Sequence, residues 1–221
     1  MKRTYVMGVL LAAANLLACG SSDGGNGTMT GSNGGATPGA GATQATAGEL
    51  STAEIDSLLF TREEEKLARD VYQALQGNDP AFTNIARSEQ MHMDAVLTLL
   101  ERYALVDPVG TNGVGVFTNT TLQTLHDQLV ASGKVSVLEA LKVGVTIEEL
   151  DIRDIDEAKK GVTHPDILTT YDNLTRGSRN HLRTYYGRLT AAGGTYTPQY
   201  LDPATFQAIV TSPMETGGPA R

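Results

Sequence analysis

Apolar side chains recur at helical spacing in four long stretches of this chain, and that pattern constrains the fold more than any other feature. Stripes of this kind must pack against one another, which gives an all-helical bundle. Ser51 stands three residues before Glu54, the spacing of a capping box, and predicts a first helix running to about Gln76. Gly77-Asn78-Asp79-Pro80 stops it and turns the chain. A second helix is expected from about Ala81 to Tyr103, with Ile85, Val96 and Leu99 on one stripe. Asp107 to Val116 holds Pro108 and three glycines and reads as a long loop with room for a short hairpin. A short helix near Thr121 to Ala131 follows. Ser136 and Glu139 repeat the capping-box spacing and open a third long helix, through Leu141, Val145, Ile152 and Ile155 to about Lys160. Gly161 ends it, and Pro165 sits where a first-turn proline belongs. The last long helix runs to about Leu189, with Ile167, Tyr171, Leu174, Leu182 and Tyr185 facing inward.

The first two long helices are joined tightly, as are the last two, and one long crossover containing a short helix links the pairs. That is the connectivity of a ferritin-like four-helix bundle. The folded domain is expected over residues 49–192, long enough for one real core. A C-terminal tail, 193–221, has one further short helix, Pro203 to Val210.

The N-terminal end is of a different kind. Lys2 and Arg3 precede an apolar run from Val6 to Ala18, too short for a membrane span, and residues 1–18 read as a signal peptide. The run ends Leu16-Leu17-Ala18-Cys19, which resembles the lipobox of bacterial lipoproteins and implies lipidation at Cys19. Cys19 is the single cysteine, so no internal disulfide can form. Residues 20–48 are almost entirely Gly, Ser, Thr, Ala and Asn, which with Cys19 makes 19–48 a lipidated, flexible linker. The expected location is the cell envelope, on the outer membrane or periplasmic face of a cell that has one. The chain carries 17 basic against 25 acidic residues with no basic block, which argues against nucleic acid as a partner. The expected partner is a membrane, through the lipid, and a homodimer stays open.

The chemistry lies in the polar groups that fall on the apolar stripes. Glu89 and His92 share the inward face of the second helix with Ile85, Val96 and Leu99. Glu148 is the charge on the third stripe, among Leu141, Val145, Ile152 and Ile155. Ser178 and His181 lie on the fourth with Tyr171, Leu174 and Tyr185. Glu65 lies on the first with Leu58, Ala68, Tyr72 and Leu75, and Glu64 is the alternative inward residue there. Carboxylates directed into one core without partners are costly, and a bound cation relieves that cost. Carboxylate with imidazole suits iron, manganese or zinc better than calcium. Glu65, Glu89, His92, Glu148 and His181 are the candidate ligands for one or two ions, with Tyr72, Ser178 and Tyr185 around them. His126, on the crossover helix, and His164, expected to be exposed, stand outside this set. The run Arg62-Glu63-Glu64-Glu65-Lys66 reads mostly as a solvated face with opposite charges at helical spacing.

Glu65-Lys66-Leu67-Ala68-Arg69-Asp70-Val71-Tyr72 is similar to the first-helix motif of rubrerythrins. Ala86-x-x-Glu89-x-x-His92 resembles their second helix, and Gly144, four residues before Glu148, their third. The combination of EEEKLARDVY, IARSEQMHMDAV, ALKVG with IEELDI, and GSRNHL more closely resembles a family of ferritin-like prokaryotic proteins catalogued as a domain of unknown function. The rubrerythrin resemblance implies iron at the five candidate ligands and a redox reaction with oxygen or peroxide. It also implies a departure: Ser178 stands where a glutamate is expected on the fourth helix, and Val145 where another is expected on the third. Glu149 or Asp151 would have to stand in. Whether such a centre is catalytic stays open. The rival reading is a non-catalytic envelope module whose inward polar groups form a hydrogen-bonded network.

Overall fold

A computed structural model describes residues 49–217. The expected signal peptide, Cys19 and linker therefore lie outside the described residues. Among those described, six helices and no strand form: α1 (Thr52–Leu75), α2 (Pro80–Arg102), α3 (Thr120–Gly133), α4 (Val137–Lys159), α5 (Pro165–Ala191) and α6 (Pro203–Thr211). The expected helices are all present with ends within a few residues, and the loop at 107–116 forms no hairpin. No helix here is long and apolar enough to cross a membrane.

The helix starts follow from capping. Ser51 and Glu54 form the reciprocal box, at 3.2 and 2.9 Å between backbone nitrogen and side-chain oxygen. At Ser136 only half of it forms: the serine accepts from Glu139 N at 3.2 Å, while the Glu139 carboxylate takes Lys142 at 2.8 Å. Asp79 caps α2, and Pro80 and Pro165 occupy first-turn positions.

α1 and α2 pack as one antiparallel pair, α4 and α5 as another. Contacts between the pairs run in opposite order along both seams: Tyr72 to Glu148 and Glu54 to Thr163 on one side, Ser88 to His181 and Arg102 to Asp166 on the other. The four long helices thus form a ring α1–α2–α5–α4, with α1 and α5 pointing one way and α2 and α4 the other. Two apolar clusters fill it. One contains Tyr72, Phe82, Leu141 and Tyr185, and the other Leu58, Val96, Ile155 and Tyr171.

Two expectations about charge fail, for the same reason. Arg62, Glu63, Glu64, Glu65 and Lys66 are all buried rather than solvated. The crossover loop lies over this part of α1 and supplies partners to Arg62, Glu63 and Lys66. Glu64 meets Asp154 of α4, and Glu65 faces His92, the inward placement expected of it. Arg62 holds Asp107 at 2.9 Å and the Met93 carbonyl at 2.8 Å. Glu63 accepts from Thr118 N and Asn119 N at 2.6 and 2.9 Å. Lys66 pairs with Asp70 and donates to Gly113 O at 2.8 Å, and Asp70 accepts from Gly115 N at 2.8 Å. His164 is likewise not exposed. Its Nδ1 lies 2.7 Å from Glu54, which also accepts from Thr163 N and so ties the α4–α5 turn to the start of α1.

The folded body continues past residue 192. Phe206 and Ile209 of α6 are buried. Glu215 pairs with Arg179 and Arg183 of α5, and Glu149 of α4 accepts from Tyr196 Oη at 2.5 Å.

Candidate metal centre

The structure brings all five candidate ligands to one place, midway along the ring of helices. Glu65 comes from α1, Glu89 and His92 from α2, Glu148 from α4 and His181 from α5. Glu89 lies at the middle. Its Oε2 is 2.8 Å from His92 Nδ1, and its Oε1 is 2.8 Å from His181 Nδ1. Glu65 approaches His92 Nδ1 at 3.1 Å, and Glu148 approaches His181 Nδ1 at 3.5 Å. Two overlapping donor sets result: Glu65, Glu89 and His92, and Glu89, Glu148 and His181. Within each set the donor atoms lie within 4.8 Å of one another. The carboxylates are sealed, with Glu89 and Glu148 at 0 % exposure. The imidazoles retain a little, at 12 % and 10 % of their side chains, so any access runs past them between α2 and α5.

The packing around the histidines sets which nitrogen faces inward. His181 Nε2 lies 3.0 Å from Ser88 Oγ; a proton on Nε2 donated to that hydroxyl leaves Nδ1 with a free lone pair toward the carboxylates. The His92 ring lies against the α5 backbone at Gly177, where a β-carbon would stand 2.5 Å from Nε2. On the other side Tyr72 Oη donates to Glu148 Oε1 at 2.5 Å, and its ring packs 5.1 Å from that of Tyr185. Gly144 admits the Tyr185 ring, since a β-carbon there would stand 2.6 Å from it. Ser178 gives the centre nothing beyond space, because its hydroxyl donates back to Leu174 O at 3.2 Å.

Among the described residues, the fully buried side-chain oxygens and nitrogens that lack a hydrogen-bond partner gather here. They are both oxygens of Glu89, Oε2 of Glu148, both oxygens of Asp151, Nδ1 of His181 and the Tyr185 hydroxyl. The close nitrogen–oxygen approaches at Glu89 do not have hydrogen-bond geometry. Native cores rarely leave such groups unsatisfied, and a cluster of them calls for a missing partner. Carboxylates and neutral imidazoles with free lone pairs fit a first-row divalent metal.

The sequence profile of a family described as an uncharacterized protein domain, DUF2202, matches residues 54–213. The chain belongs to the DUF2202 family. It is 45 % identical over 170 residues to the uncharacterized protein MJ0754 of Methanocaldococcus jannaschii, a match covering 76 % of this chain and 92 % of that one. The crystal structure of hypothetical protein MJ0754 from Methanococcus jannaschii DSM 2661 is similar to it with a TM-score of 0.75 at 43 % identity. That match covers 78 % of this chain and 100 % of the other. The matched region of DUF2202 includes α6, in keeping with the packing of the tail.

Electrostatics in this DUF2202 centre follow from burial working against mutual pairing. Burial raises Glu65 and Glu148 to about 7, although His92 and His181 pull them back toward the charged form. Burial also opposes the charge on Glu89, but His181 and His92 outweigh it and hold Glu89 well below the usual carboxylate range. Both imidazoles favour their protons. Against the effect of burial, Glu89 and Glu148 raise His181 to about 10, and Glu65 and Glu89 raise His92 well above its ordinary value. Without a cation, protons compensate the buried negative charge.

Sequence reasoning passed over Ser88 and Gly177. Ser88 gives no signal, lying one residue off the apolar stripe. Gly177 does give one, as a glycine inside a long helix, where it costs about 1 kcal/mol relative to alanine and so needs a packing reason. The sequence also presents Glu148 as the charge on its stripe, yet Glu149 and Asp151 are buried beside it.

Proposed function

We propose that this DUF2202 protein is a ferritin-like metal-binding protein of the cell envelope, holding iron, or else manganese or zinc, on Glu65, Glu89, His92, Glu148 and His181. The observation that carries this reading is Glu89: a sealed carboxylate between two imidazole nitrogens, with neither oxygen hydrogen-bonded. The two helical pairs joined by one crossover, and the Glu-x-x-His on α2, support a ferritin-like assignment. Iron held by these residues would supply redox chemistry toward a small oxidant, oxygen or peroxide. The residues do the rest. Glu89 joins the two donor sets. Ser88 fixes the ring of His181, and Tyr72 fixes Glu148. The apolar walls of Tyr72, Phe82 and Tyr185 exclude water. Lipidation at Cys19 would tether the domain through the linker to the membrane.

The rival reading, a non-catalytic module with a hydrogen-bonded polar core, draws on Ser178, which leaves α5 without a carboxylate. It requires the core groups to satisfy one another, and the orphaned atoms of Glu89, Glu148 and His181 weigh against it. The test is elemental analysis of the full chain, purified in mild detergent without chelator. Bound iron, manganese or zinc is the expected result. A chain that holds none, takes up none and melts identically with and without chelator would return the reading to the module.

A further inference from the structure

Asp151 stands one helical turn beyond Glu148 on α4 and is 2 % exposed. Neither of its oxygens has a hydrogen-bond partner. The groups that act on it most strongly are Glu64 and Glu65, then Glu148 and Glu89, all carboxylates. A buried acid held for structural reasons finds at least one donor. Glu149, two residues earlier and equally buried, shows what that looks like: it accepts from Tyr196 Oη at 2.5 Å, Gln199 N at 3.1 Å and Leu201 N at 3.2 Å. Of the two acids able to replace the carboxylate that α5 lacks, Glu149 is committed to the tail and Asp151 is free.

Charge gives the second argument. The two donor sets share Glu89 and offer two cation positions. Glu65, Glu89 and Glu148 supply three negative charges, while two divalent cations bring four positive ones. In a sealed core the surplus positive charge is costly. A fourth carboxylate removes it, and Asp151, outside both donor sets but one turn from Glu148, is the unpartnered buried acid on which Glu65, Glu148 and Glu89 all act.

We infer that the centre takes two divalent cations bridged by Glu89, with Asp151 as the fourth carboxylate in place of one from α5. This rests on the metal-binding reading above and adds the ion count and a further ligand.

The test titrates the metal-free full chain, in mild detergent, with Mn(II) and separately with Zn(II), reading stoichiometry by calorimetry and by elemental analysis after desalting. The unmutated chain should bind two ions. Asp151→Asn should bind one tightly, with the second at least tenfold weaker, and Asp151→Ser should behave alike. Glu149→Gln should keep two. The metal-free melting temperature of Asp151→Asn should equal or exceed that of the unmutated chain, because an unpartnered acid has been removed. Two tight ions in Asp151→Asn, one ion in the unmutated chain, or a marked loss of metal-free stability in Asp151→Asn would each overturn the inference while leaving a metal centre in place. No binding of either metal by any variant would overturn the metal-binding reading and the inference with it.

Discussion

α1 carries two buried charged regions side by side, and they are built in opposite ways. On the face under the crossover loop, Arg62, Glu63, Lys66 and Asp70 each find a protein partner, most of them loop backbone groups. On the face toward the ring interior, Glu65 joins a group in which both oxygens of Glu89, one of Glu148 and Nδ1 of His181 stay without hydrogen bonds. Burial is nearly the same on the two faces. The difference lies in whether the fold itself completes the coordination of each charge. Where it does, the charges fasten one segment to another. Where it does not, the groups are left able to hold a metal ion.

The largest effect should come from breaking the satisfied face. Lys66→Met leaves Asp70 buried with Arg69 as its remaining cation, and the crossover loses its bond at Gly113. Removing one member of a buried pair costs about 3–5 kcal/mol where the charge left behind is uncompensated, and Arg69 places this loss at the low end. Urea unfolding should show that loss equally with and without metal, and metal stoichiometry should not change. A Lys66→Met chain of undiminished stability would mean that the loop is held by other contacts. A metal-dependent loss would erase the distinction between the two faces.

Next in size is the effect of metal on the unsatisfied face. Chelator should lower the stability of the loaded chain, by about 2.7 kcal/mol where free metal stood a hundredfold above its dissociation constant. His181→Ala should shrink that chelator effect, because one donor set loses its nitrogen while the other stays whole. Glu64→Ala leaves both donor sets whole and should retain metal. If Glu64→Ala strips the metal and Glu65→Ala does not, α1 presents its neighbouring glutamate instead.

A third experiment disturbs the centre without touching a candidate ligand. The β-carbon of Gly177→Ala would stand 2.5 Å from His92 Nε2 and must push that ring toward Glu89 and Glu65. Overpacking of this kind costs about 1–3 kcal/mol. The donor set with His92 should lose affinity while that with His181 keeps it. Gly187→Ala, where a β-carbon meets nothing within 4 Å, is the control and should leave binding unchanged. Equal affinities in Gly177→Ala and the unmutated chain would show that His92 is not held by the α5 backbone.

The same contrast explains what the sequence could disclose. Helices and inward polar groups follow from local periodicity, so the inward placement of Glu89, His92 and Glu148 was legible from their stripes, and that of Glu65 from its neighbours Ala68 and Tyr72. Arg62 to Lys66 was not. Alternating charges at helical spacing look the same whether water or a loop covers them, and the covering groups, Asp107 to Asn119, lie some 45 residues or more away in the chain. His164 was misread for the same reason, since its partner Glu54 is 110 residues distant. Glu149 and Asp151 looked interchangeable. Only the position of Tyr196 and Gln199, in a tail without periodicity, separates them.

The tail supplies the smallest effect, because its charges are satisfied but wet. Arg179 and Arg183 hold Glu215 at 2.5 and 2.8 Å, yet the Glu215 side chain is 30 % exposed. Hydrogen bonding to Arg179, then to Arg183, lowers Glu215 to about 2 despite partial burial. A depressed carboxylate stabilises the fold above its unfolded value of about 4.3 and loses that contribution as pH falls through the folded one. Solvent-exposed pairs contribute about 0.2–1 kcal/mol, so global melting should barely move. The effect should instead be local. Amides of α6 should exchange faster as pH drops from 5 to 2, once the intrinsic pH dependence of exchange is removed. Glu215→Gln should show the fast behaviour already at pH 5, with no further change on acidification. Metal content at pH 7 should be the same in both. If acid loosens α6 to the same extent in Glu215→Gln, the clasp lies elsewhere, and the buried anchor at Glu149 is the next group to remove.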